Sequence, residues 1–162
     1  MTAHTANATA TDQSQNADEA IQARQHWMAV LARTERSVLE TEWSNKYGDI
    51  IWNHLREPQI GMVMVRGRAG GAGQRFNLGE MTVTRCAVTL SDGTVGHSYV
   101  KGRDRVQAQY AALFDAVMLR DGAASDFIDT LAQQQAAAKR AHAHKVAATK
   151  VDFFTLVRGE DE

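Results

Sequence analysis

Three arginines and three glycines, Arg66, Arg68, Gly70, Gly71, Gly73 and Arg75, stand close together at the centre of the chain. Glycine lets backbone amides approach a ligand, and guanidinium groups hold phosphate oxygens in a two-pronged geometry. The pattern therefore suits a phosphate or phosphonate. A mobile loop between strands is the plainer reading of the same residues. No Lys-Ser or Lys-Thr follows the glycines, and their spacing is not that of the dinucleotide fingerprint, which sets aside the common nucleotide loops. Further on, His97 lies beside Ser98 and Tyr99 on a stretch leading to Lys101 and Arg103. Its imidazole has the chemistry of an acid, a base or a hydrogen-bond donor, although an exposed strand histidine is the commoner case.

Charge concentrates in the same region. Residues 66–105 hold seven basic and three acidic side chains, net +4, whereas the other 122 residues hold eleven and sixteen, net −5. A polarised centre in a chain of formal net charge −1 favours a small or locally bound anion over generic nucleic-acid binding. The glycine-arginine cluster and the Lys101–Arg103 cluster could meet in space. Other chemistry is thinner. His142 and His144 are two apart on an expected helix and diverge by about 200°, so they are assigned no metal. Cys86 alternates with Val88 and Leu90, as a buried structural thiol would, and one cysteine supports neither an internal disulfide nor an iron-sulfur cluster. No paired carboxylates or Ser-His-Asp spacing emerge, so the chain reads as a contributor to catalysis rather than a complete active site.

The elements that must position these residues suggest an α+β fold. Residues 1–17 are poor in apolar side chains and read as a disordered tail; they contain no apolar core of the signal-peptide kind, and the chain reads as cytoplasmic. No apolar run approaches the roughly 20 residues that cross a bilayer. A helix from Asp18 to about Arg33 and a second from Ser37 to about Lys46, capped by Ser37 with Glu40 and anchored by Trp43, form an N-terminal hairpin. Two β-hairpins follow: 49–57 with 62–68 around Pro58-Gln59-Ile60-Gly61, and 81–90 with 95–101 around Ser91-Asp92-Gly93-Thr94. They predict an antiparallel sheet of about four strands. Asp104 and Gln107 open an amphipathic helix carrying Val106, Tyr110, Leu113, Phe114 and Val117, which should lie across one face of the sheet and stop near Arg120, where Asp121 and Gly122 break the pattern. A long helix from Ser125 to about Lys150 carries few large apolar groups past Leu131. It leads to Phe153, Phe154, Leu156 and Val157, an apolar hook suited to docking on another subunit or on a second copy. The expected organisation is a tail at 1–17, a domain at 18–122, and a helix with its docking arm at 123–162.

The runs RQHWMAVLA (24–32), RAGGAGQRF (68–76), MTVTRCAVTLSDGTVGHSYVKGRD (81–104) and KVDFFTLVRGE (150–160) closely resemble the G subunit of the bacterial carbon-phosphorus lyase core complex. The resemblance covers nearly everything beyond the N-terminal tail; the chain departs from the pattern in that tail and around 49–59. It implies a cytoplasmic subunit working with H, I and J subunits in phosphonate use. In that family the G, H, I and L proteins together transfer the ribose triphosphate portion of ATP to methylphosphonate and release adenine. ATP and the phosphonate are then substrates of the complex, and this chain alone holds no cofactor. The resemblance assigns no catalytic residue here, so the phosphate-binding role of the glycine-arginine segment, His97, Lys101 and Arg103 rests on their chemistry.

Overall fold

The computed structural model describes the backbone of residues 6–149 and the side chains of residues 16–149. The order is α1 (Ala6–Leu31), α2 (Arg36–Lys46), β1 (Trp52–Arg68), β2 (Arg75–Leu90), β3 (Val95–Lys101), α3 (Arg105–Asp121) and α4 (Ser125–Ala148). The fold is α+β with a three-stranded antiparallel sheet in the order β1-β2-β3. The apolar cluster Phe153, Phe154, Leu156 and Val157 lies outside the described residues.

The sheet has three strands rather than about four, because the expected first hairpin is one strand. β1 runs through Pro58-Gln59-Ile60-Gly61 without turning, and its register slips between Arg56, paired with Ala87, and Gln59, paired with Arg85. Glu57 and Pro58 thus oppose the single residue Cys86. A proline has no N–H to give a ladder, and it is accommodated by a bulge on an edge strand. β2 likewise begins at Arg75, six residues before the expected Met81. The second hairpin is as expected. Gly93 takes a left-handed φ of 89° at its turn, and the Thr94 amide donates to Asp92 Oδ1 at 2.8 Å.

One face of the sheet carries α3. Asp104 caps it by accepting from the Gln107 amide at 2.9 Å, while the Gln107 side chain donates to Thr34 O at 2.6 Å instead of closing the box. Gly122, with a left-handed φ of 65°, ends the helix. The expected stripe is buried at Leu113, Phe114 and Val117, with Tyr110 packed against the core, and burial extends beyond it to every residue from Ala111 to Val117, because α3 is enclosed between the sheet and the other helices. Small residues make this close approach feasible. A Cβ on Gly96 of β3 would lie 2.1 Å from Ala112 O.

Trp43 anchors α2 as expected, with its ring 5.5 Å edge-on from Phe114, which stacks 5.3 Å from Phe127 of α4. The expected Ser37 cap is not formed; Glu35 is the N-cap residue and makes no side-chain capping bond. The first helix begins at Ala6, so the boundary expected at Asp18 lies within it, and its side chains from Asn16 to Ala23 are exposed. α4 buries Ile128 and Leu131, and beyond them its outer turns carry no buried residue among those described. No described helix is long and apolar enough to cross a membrane.

Candidate functional site

The glycine-arginine segment is the tip of a long two-stranded ribbon. β3 pairs with β2 only from Val83 to Thr89, whereas β1 pairs with β2 as far as Arg68 opposite Arg75. The ribbon therefore runs from Met62–Thr82 outward without a third strand. Gly70 and Gly71 adopt φ values of 59° and 81°, which only glycine takes readily, and so turn the chain. Two turn amides are used locally: Gly73 N–H donates to Ala69 O at 2.8 Å, and Gly71 N–H donates to Arg68 O at 3.4 Å.

Arg66, Arg68 and Arg75 gather at this tip. Alternation along β1 places Arg66 and Arg68 on one face, and Arg75, directly opposite Arg68, shares it. Two guanidinium groups in a directly opposed cross-strand pair repel one another. Arg68 Nη1 donates to Gly73 O at 3.3 Å, and among the described residues none of the three pairs with a carboxylate. The tip is an exposed positive patch able to take an anion on its outer side.

Lys101 and Arg103 do not join it. Lys101 pairs with Val83, eight residues along β2 from Arg75, a separation of roughly 27 Å in an extended strand. The two basic clusters thus do not meet: eight residues of β2 separate them. His97 is a third location. Its side chain is exposed, and the residue borders a cleft of about 220 Å³ with Met28, Ala32, Ser98 and Tyr99.

The most constrained polar group is Asp115, which sequence reasoning missed. This fully buried carboxylate of α3 accepts from Arg24 Nη2 at 2.8 Å, Arg24 Nε at 3.3 Å, Trp27 Nε1 at 2.8 Å and the His97 amide at 2.8 Å. Four donors fill its acceptor sites, so it clamps α1 and β3 onto α3 and has no lone pair to spare for a base. The available signal was a lone carboxylate within YAALFDAVML (110–119). Cys86 is a buried thiol whose pKa is pushed up to about 11 by burial, consistent with a structural role. Among the described residues, no three His, Cys, Asp or Glu side chains converge as metal ligands.

Residues 22–159 match the family described as phosphonate metabolism protein PhnG. A relative from Rhizobium meliloti (strain 1021) is 41% identical over 155 residues, spanning 93% of this chain and 99% of its own; it is named alpha-D-ribose 1-methylphosphonate 5-triphosphate synthase subunit PhnG. Matched over most of its length by both comparisons, the chain belongs to the PhnG family of phosphonate metabolism proteins.

Proposed function

We propose that the chain is a subunit of alpha-D-ribose 1-methylphosphonate 5-triphosphate synthase and that Arg66, Arg68 and Arg75 contribute phosphate contacts within the assembled enzyme. The near end-to-end identity to a subunit of that name carries the proposal. The complex, assembled in the cytoplasm with H, I and J subunits and acting with the L protein, moves the ribose triphosphate portion of ATP onto methylphosphonate and releases adenine. Three guanidinium groups on one ribbon face, none paired with a carboxylate among the described residues, suit the charge of a triphosphate or phosphonate. Gly70, Gly71 and Gly73 shape the turn that presents them. His97, Lys101 and Arg103 lie too far along the sheet to touch the same phosphate and would meet a different part of the ligand or a partner chain.

A purely structural subunit is the second reading. It is favoured by the local use of the Gly71 and Gly73 amides, which removes them from any phosphate cradle. The deciding experiment is adenine release from ATP and methylphosphonate by the co-purified complex plus the L protein, with and without this chain, and with Arg68→Ala and Arg75→Ala. Lost release in an intact complex supports ligand contact; unchanged release leaves the structural role. Deleting residues 151–162 tests the docking role proposed for Phe153, Phe154, Leu156 and Val157, and normal assembly of the shortened chain would remove it.

A further inference from the structure

The stem of the ribbon exposes large apolar side chains on both faces, with Thr82 and Glu80 paired to Met62 and Met64 on one of them. Directly paired residues of an antiparallel ladder share a face, so Met62 and Met64 lie on the helix side, and Val63, Val65 and Met81 lie on the other. Gly67 pairs with Phe76, and a Cβ on Gly67 would meet both Phe76 and Leu78, which puts these two on the second face. Met62 is 67% exposed and Leu78 65%, and Met64, Phe76 and Ile60 are exposed as well. The sequence agrees, since Ile60-Gly-Met-Val-Met-Val is a near-continuous apolar run of the kind found in strands covered on both sides, not in strands with one wet face. An isolated two-stranded ribbon is marginal in water, and this one leaves both outer edges unpaired beyond Met62–Thr82.

Resting on the reading of the chain as a subunit, we infer that this stem inserts between elements of a different subunit of the enzyme, which covers both faces with apolar side chains and meets the arginine tip with anions. A second copy is the poorer occupant. A two-fold contact is self-complementary, and this patch holds Arg66, Arg68 and Arg75 against Glu80, so two copies would bring an excess of like charge together. A head-to-tail contact between copies would build rings or filaments and would still set one basic tip against the apolar stem of another copy, leaving its charge without anions. The occupant is therefore a chain with an apolar slot that ends in carboxylates or in a bound phosphate. Insertion would also explain the length of β1 and β2, which carry the arginines well beyond the domain's own core.

The test uses the complex co-expressed from all its subunits, compared with the free chain. Met62 and Met64 are built-in probes: dilute peroxide should oxidise both in the free chain, and in the complex both should be protected at least tenfold. Equal oxidation in the two states overturns the inference. Met64→Asp and Leu78→Asp should leave the free chain with the parent's circular dichroism and thermal midpoint yet reduce its recovery with the other subunits at least tenfold; normal recovery overturns the inference. If protection appears in a purified homodimer of this chain, the occupant is a second copy and the inference fails in that form. Arg68→Ala with Arg75→Ala separates the tip from the stem. Normal assembly with lost adenine release keeps both readings, and normal assembly with normal release removes the phosphate contact while the inserted stem stands. Failed assembly of this arginine variant, with Met62 and Met64 protected in the parent complex, assigns the tip to partner carboxylates and supports insertion.

Discussion

His97 and Asp115 meet through the backbone: the His97 amide donates to Asp115 Oδ2 at 2.8 Å, while the imidazole stays exposed. One carboxylate on α3 therefore holds the β3 backbone and, through Arg24 and Trp27, the C-terminal half of α1. Asp115→Ala strands two buried donors and an arginine, and should cost about 3–5 kcal/mol, toward the lower end because Arg24 is a third exposed. Urea denaturation measures it. A loss below about 1 kcal/mol would mean that the clamp adds no net stability.

Gly96→Ala should be among the most damaging single changes in the fold. The added Cβ would sit 2.1 Å from Ala112 O and 2.6 Å from Ala116 N, both backbone atoms that move only with the helix. Separating α3 from β3 should cost about 3 kcal/mol or more, read as a lower thermal midpoint and reduced soluble yield.

Cys86 should be silent in the native chain. With its thiol pushed up to about 11, about one molecule in a thousand is ionised at pH 8, so Ellman's reagent should react slowly until urea is added. The sign of the linkage follows. The folded pKa is raised above the ordinary value of 9.0, so its contribution is full below pH 9 and is lost as pH rises through about 11. Cys86→Ser should flatten that alkaline limb in a stability-against-pH series.

Arg68→Ala and Arg75→Ala should leave the isolated chain within about 0.5 kcal/mol of the parent, or slightly stabilise it, because each removes one member of an exposed like-charge pair. In the assembled enzyme each should slow adenine release by about 10- to 100-fold, the loss of one charge-assisted contact. Chemical denaturation of the chain and the release assay on the complex check the two halves separately.

The caps and turns were legible because their chemistry is local. Asp104 as the N-cap of α3, Gly122 at its end, the Ser-Asp-Gly-Thr turn and Trp43 as an anchor can each be read within a few residues and serve as expected, whereas the Gln107 side chain turns to Thr34 and Ser37 forms no cap. Pro58 misled for the same local reason: Pro-Gln-Ile-Gly is good turn chemistry, and only a free sheet edge lets the strand bulge past it. Among candidate site residues, Arg66, Arg68 and Arg75 stand near one another because a tight turn joins their strands, while the distance from them to Lys101 and Arg103 was not legible because sequence spacing gives no strand register.

The sequence by itself determined the two ends of α3, the second hairpin, the local basic pattern and, through long matching motifs, membership of the family. Tertiary structure alone decided that β1 is one bulged strand, that β2 carries the arginine tip roughly 27 Å from Lys101, and that Asp115 is sealed by α1 and β3. The reason is physical. Caps and turns are satisfied by neighbours a few residues away, whereas strand register, burial on the far side of a helix and the pairing of a lone carboxylate depend on groups brought together from distant parts of the chain, here 91 residues apart for Arg24 and Asp115.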